Sequence, residues 1–415
     1  MPPRIAIIAL IASVSAAGLA QTAGSELPAI FEPSSVSSDG VLGVERLTDR
    51  NALAIWDRLN RERLAVVAGC EDPGAPAFTG DNAHILAPCA QGVVQWINTA
   101  SFDVVDETSG FEAPPQSVLL ARDRRHAYVE TGDGVAELDL KTRAITRVFP
   151  KTEDAHGVAQ TADGSILVNG ERIARPQTAL SADAPKTEVV VFGMIHRGHR
   201  TSDRYSLGFL DRLFRAVDPD AAAIEVPPNR IDRAWTSFLE TGEIQERRAA
   251  VFPEYTDVLF PLAKERGLEL FGAAGWTAPM NTYRRAALAR LRADPARAED
   301  WAAYQAGLAS LREATAGRSD DPFFLHSEAY DQAAKAGYAP YARVFAHDLG
   351  PGDWETINAA HYAGVAAALD ALKGQGKRLM VTFGAAHKYW LLEALAKRED
   401  VILLDPTPFL EAAAT

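Results

Sequence analysis

Near residue 180 the hydrophobic pattern of this chain changes its period, and that change constrains the fold more than any other feature. From about residue 36 to 175, apolar and polar residues alternate in short segments such as VVQWINTASFDVVDE and GVAELDLKTRAITRVF, broken by Gly, Asp, Asn and Pro. Successive side chains of a strand point to opposite faces, so a period of two with frequent turns predicts antiparallel sheets. From about residue 187 to 412, short apolar runs (EVVVFGM, AAAIEV, LELFGAA, RLMVTFGA, VILLDP) alternate with helical stretches. Runs this apolar are buried on both faces, and helices between them predict right-handed crossovers in a mainly parallel sheet. The chain is therefore multi-domain: an all-β antiparallel region over 36–175, a linker RPQTALSADAPKTE, and an α/β domain over 187–412. Its 415 residues suffice for two cores. Between Ala278 and Tyr362 no strand is evident, whereas YRRAALARLRADPARAEDWAAYQAGLASLREA is helical in composition, which predicts a helical insertion covering one side of the sheet.

The β region repeats. The turns SSDG, TGDN, ARDR and TADG place Asp39, Asp81, Asp123 and Asp163 at spacings of 42, 42 and 40, each followed by strand-like residues. That period matches one four-stranded propeller blade. The segment resembles blades of the WD40 or YVTN-type propellers, without the WD signature. About three and a half units fit, so a ring would be small, incomplete or completed by another chain; the alternative is a twisted stack of antiparallel sheets. Either form suits a platform that supports or docks a protein partner. His84, His126 and His156 fall at scattered repeat positions and are expected on the surface or in packing.

The first residues, MPPRIAIIALIASVSAAGLAQTAG, carry one Arg, an apolar stretch and then small residues, which predicts a signal peptide over 1–20 and a periplasmic or secreted protein. No cysteine follows that region to take a lipid, and no apolar stretch is long enough to span a bilayer, so no stable membrane insertion is expected. In an oxidising compartment Cys70 and Cys89 could pair across a short loop. A formal charge of −13 argues against a nucleic-acid partner, since nothing would neutralise a run of phosphates.

Ligands of an open parallel sheet gather beyond the carboxyl ends of its strands. His196 follows the first apolar run, Glu225 ends AAAIE, and His387 follows VTFGAA. Gly193 and Gly384 each stand three residues before a histidine, where they would let the backbone turn tightly off the strand. Two imidazoles and a carboxylate suit a divalent metal that keeps open positions for water. The alternative for each histidine is a helix cap or a bond to a loop carbonyl. His199 is either a further ligand or, beside Arg197 and Arg200, part of a solvated basic loop, which is the expected case. His361, three residues after Asn358 on the same helix face, either backs the site or is merely packed. His326 and His347 could belong to a lid.

GMIH, IEVPPNR and GAAH, in that order, resemble the TraB/Tiki superfamily, which has haem-binding ChaN-like and erythromycin-esterase-like relatives. The resemblance spans residues 187 to about 410 and departs from the family at Met194, where a Thr is usual. It implies a metal-dependent, peptidase-like hydrolase with His196, Glu225 and His387 on Mn²⁺ or Co²⁺. Glu225 is then a ligand or the general base, and Asn358 faces the site. Arg230 clamps an oxyanion or Glu225, or is a plain ion-pair residue. The substrate implied is a peptide or a small ester or amide. The relatives leave two alternatives: hydrolysis by His and Glu without a metal, and a non-catalytic haem- or metal-binding protein.

Overall fold

The computed structural model describes residues 33–152, 157–174 and 184–415. The expected signal peptide, His156 and most of the linker lie outside the described residues. The N-terminal region forms antiparallel meanders in sequence order. They are β1 (Ser35–Val36) to β4 (Glu62–Ala68), with β2 at Leu42–Leu47 and β3 at Ala52–Asp57; β5 (Ala77–Phe78) to β8 (Val104–Thr108), with β6 at His84–Cys89 and β7 at Val93–Asn98; and β9 (Pro115–Leu120) to β12 (Ala144–Pro150), with β10 at His126–Thr131 and β11 at Gly134–Asp139. A fourth sheet has three strands, β13 (Val158–Gln160), β14 (Ile166–Val168) and β15 (Glu171–Ala174).

The repeated aspartates build the same turn four times. Asp39, Asp81 and Asp163 each accept from a Ser or Thr hydroxyl two residues back and a backbone N–H two residues on, while Asp123 accepts from the N–H groups of Arg125 and His126. The residue after each aspartate (Gly40, Asn82, Arg124, Gly164) takes a left-handed conformation that closes the turn. A second repeat, harder to see in sequence, joins the last two strands: Asp57, Asn98 and Asp139 each accept two backbone N–H groups. Cys70 and Cys89 form a disulfide. His84 is buried edge-on to Trp96, and His126 bonds Asp123.

The α/β region holds one five-stranded parallel sheet of β16 (Thr187–Met194), β17 (Ala221–Ile224), β18 (Glu269–Gly272), β19 (Arg378–Gly384) and β20 (Val401–Leu403). Their order is β18-β17-β19-β16-β20, with Val191 opposite Val381 and Ala223 also opposite Val381. The strand that comes fourth in this sheet therefore lies between the first two. Val190, Phe192 and Met194 point into one core with helix α1 (Leu207–Val217), and Val189 and Val191 into a second core on the other face. Helix α2 (Pro228–Thr241) follows β17, and α3 (Phe260–Arg266) leads into β18. The expected insertion is helical: α4 (Ala278–Ala293), α5 (Ala298–Ala314), α6 (Pro322–Leu325), α7 (Glu328–Phe345) and α8 (Trp354–Leu372). Helix α9 (Lys388–Leu395) follows β19, and α10 (Thr407–Ala414) ends the chain. No helix among the described residues is long and apolar enough to cross a membrane.

The β region rests on the insertion and on α2. Met280 and Ile357 share a buried cluster with Val44, Ile55 and Ile85, and the Asn98 amide donates to the Asn229 carbonyl at 2.8 Å.

Candidate functional site

The sheet order explains why three sequence-distant side chains meet. β19 is flanked by β16 and β17, so the residues leaving the carboxyl ends of these three strands become neighbours. His196 leaves β16, Glu225 leaves β17, and His387 sits one short turn beyond β19. His196 has φ of 51°, a left-handed conformation uncommon for a residue with a side chain. After β16 the tight turn that the sequence suggested for Gly193 thus falls on the histidine itself, while after β19 neither Gly384 nor His387 takes a left-handed conformation. The glycines serve close approach instead: a Cβ on Gly193 would stand 2.9 Å from Ala385 Cα, and one on Gly384 would stand 2.8 Å from His196 Nε2.

His196 bridges two carboxylates. Its Nδ1 lies 2.6 Å from Glu254 Oε1 and its Nε2 lies 3.6 Å from Glu225 Oε2. Burial alone would lower its pKa, but the charge and hydrogen bond of Glu254, helped by Glu225, push it up to about 9. Glu254 is fully buried at the start of a π-helical turn (Glu254–Leu259) that runs into α3, a rare form often found at functional sites. Glu225 Oε2 also accepts the Gly384 N–H at 2.7 Å, and the Glu225 N–H donates to the Tyr255 hydroxyl, which donates to the Thr382 carbonyl. The carboxylate is thereby held by β19, and the Glu225 backbone by Tyr255 of the π-helical turn, itself tied to β19.

His387 is oriented by α8. The Asn358 amide nitrogen donates to the Trp354 carbonyl at 2.7 Å, so its Oδ1 is the acceptor facing His387 Nδ1 at 2.7 Å. The proton of His387 therefore sits on Nδ1, and Nε2 keeps its lone pair. Burial holds the ring below its ordinary pKa, with the charges of His196 and Arg284 acting in the same sense. Trp354 stacks on the ring at 4.9 Å.

His361 belongs to the same cluster. One ligand atom each from Glu225, His361 and His387 lies within 4.8 Å of the others. Gly275 brings the loop after β18 so close to α8 that a Cβ there would lie 2.3 Å from the Ala360 Cβ. Its N–H donates to His361 Nδ1 at 2.8 Å, while His361 Nε2 is buried without a hydrogen-bond partner. Burial pushes this imidazole well below its usual pKa.

Several other residues stand apart from the chemistry. Arg230 pairs with buried Glu246 at 2.8 Å. It lines a cavity of about 170 Å³ between the first two sheets and the starts of α2 and α4, together with Glu62, Phe102, Asn229 and Trp276. His199 is buried, not solvated: Ile195 N–H donates to its Nε2, and its Nδ1 donates to the Tyr205 carbonyl, which fixes the turn after β16. His326 accepts the Gly193 N–H and donates to the Pro322 carbonyl, so it braces β16 rather than a lid. His347 is exposed. Sequence reasoning missed Glu254 and Gly275; PEYTDV and GAAGW carry no spacing that would single them out.

The group whose ligand atoms lie close enough together to share an ion is Glu225, His361 and His387; His196 falls outside it, although its Nε2 lies 3.6 Å from Glu225 Oε2. A ligating imidazole usually donates its other N–H to a carboxylate or carbonyl oxygen. Glu254 serves His196 in this way and Asn358 serves His387, which leaves the His387 Nε2 lone pair free, whereas His196, its pKa raised to about 9, must lose a proton before its Nε2 could bind an ion. The absent Cβ of Gly384 leaves a cradle beside His196 Nε2 and, at 3.5 Å, Glu225 Oε2.

No protein-family model matches the chain, and no curated protein matches it. Among solved structures, hydrazine synthase of Kuenenia stuttgartiensis is similar at 19% identity and a TM-score of 0.30. That likeness covers 32% of this chain and 40% of the other, and it carries no argument about function.

Proposed function

We propose that this protein is an exported, metal-dependent hydrolase that cleaves an amide or ester bond, with peptides as its substrates. The observation that carries this reading is the pair of imidazoles from distant strands, each anchored through Nδ1, on either side of Glu225. The N-terminal sequence and the Cys70–Cys89 disulfide support export, since such bonds persist in oxidising compartments. Mn²⁺ or Co²⁺ would be held by His196, Glu225 and His387, and when bound would lower the pKa of a coordinated water.

This chain's own groups do the rest. Glu225, pinned by the Gly384 N–H, is placed to take a proton from water. Asn358 keeps the His387 ring from rotating and its Nε2 bare. Arg230 pairs with Glu246 and lines the cavity between the two regions, whose lining includes none of the cluster residues, so it takes no part in the proposed step.

One observation favours a second reading, direct activation of water by Glu225 and His387. Groups sharing one oxygen by hydrogen bonds of about 2.8 Å stand about 4.6 Å apart at tetrahedral angles, whereas ligands about 2.1 Å from an ion stand about 3.4 Å apart. The Glu225–His361–His387 spacing, up to 4.8 Å, is nearer the first. Elemental analysis of the purified protein, followed by a peptide-library cleavage assay with and without chelator, separates the two. Glu225→Gln and His387→Ala should each lower kcat/KM by about 10²–10⁴-fold. Full activity in either variant sinks the hydrolytic site, and a haemin absorbance band without turnover would favour a carrier.

A further inference from the structure

His361 is the one member of the cluster whose role the proposed hydrolysis leaves open. It is fully buried on α8, edge-on to His387 at 4.8 Å. Its Nδ1 receives the Gly275 N–H, and a ring nitrogen that accepts a hydrogen bond carries no proton. The single proton of the neutral ring therefore lies on Nε2, the buried atom with no protein partner. A buried donor without an acceptor is costly and rare in folded proteins. Moving the proton to Nδ1 would set two N–H groups against each other at 2.8 Å.

The two imidazoles thus have opposite polarity. His387 presents a lone pair and His361 presents an N–H, with the Glu225 carboxylate as a second acceptor. Two acceptors and one donor match a water molecule, which donates twice, accepts once and keeps a lone pair free. We infer that His361 is not a metal ligand but the hydrogen-bond donor that holds the attacking water in the Glu225–His387 cluster. The inference takes its chemistry from the metal-free hydrolytic reading, in which no ion holds the lone pairs of His387 and Glu225, and its geometry from Gly275.

Long-range ¹H–¹⁵N spectra of the histidine rings in the full-length, chelator-treated protein test the assignment without any substrate. His361 should show the Nε2–H tautomer and His387 the Nδ1–H tautomer; an Nδ1–H tautomer at His361 overturns the inference. Mn²⁺ added to the parent and to His361→Phe should bind equally or not at all by elemental analysis, and binding lost only in the variant would make His361 a ligand. On a cleaved peptide, His361→Phe should lower kcat by about 10²-fold with KM little changed. His361→Gln, which can accept from Gly275 and still donate, should recover part of that loss, and equal damage in both variants counts against a donor. If the parent cleaves neither peptides nor esters, the hydrolase reading fails alone, and the tautomer still decides whether His361 is a donor.

Discussion

Alanine at Gly384 gives a perturbation whose size can be worked out atom by atom. The new Cβ would stand 2.8 Å from His196 Nε2 and 3.5 Å from Glu225 Oε2. Ordinary contact needs about 3.4–4.0 Å, so the imidazole must retreat by about half an ångström or more. That movement works against the 2.6 Å bond to Glu254, which is buried and cannot follow. Overpacking of this kind costs about 1–3 kcal/mol, and a misplacement approaching 1 Å at a reacting group can cost about 10²-fold in rate. Urea denaturation should register the stability loss, and peptide cleavage the rate. Ring NMR should find the His196 pKa falling from about 9 toward its ordinary value. Gly193→Ala is the comparison: its Cβ meets the Ala385 backbone at 2.9 Å, so stability should suffer at least as much while His196 keeps its elevated pKa. A Gly384→Ala protein with parental turnover and an unmoved His196 would refute the assigned crowding.

Two further outcomes test the scaffold. Burial holds His326 down to about 3, so it is neutral in the fold but titrates near 6.5 when unfolded. A depressed histidine gives stability that is present above the unfolded pKa and lost as pH falls toward the folded one. Acidification from pH 6.5 to 4.5 should therefore cost about 2–3 kcal/mol, and His326→Gln should flatten that acid limb in urea titrations. Reducing Cys70–Cys89, which closes a loop with a sequence separation of 19, should destabilise the β region by about 3 kcal/mol, read as a lower thermal midpoint in dithiothreitol; an unchanged midpoint would mean the bond restrains little in the unfolded chain.

Local structure and its repeats were legible before any coordinates. Period two and the four turn aspartates predicted antiparallel sheets, because Asp39, Asp81, Asp123 and Asp163 satisfy backbone N–H groups within three residues of themselves. Unbroken apolar runs predicted a parallel sheet, because strands covered on both faces exclude polar alternation. His196, Glu225 and His387 were legible as strand-end residues for the same reason. Which strand ends are neighbours, and what each ring can do, follow from long-range packing. Placing β19 between β16 and β17 brings His196 and His387 each beside Glu225, and strand order arises from packing among segments up to about two hundred residues apart. The turn at His196 rather than Gly193, the burial of His199, the Glu254 anchor and the opposite polarities of His361 and His387 all depend on partners from elsewhere in the chain. An imidazole acts as donor, acceptor or ligand according to what its other nitrogen meets, and no short stretch of sequence specifies that partner.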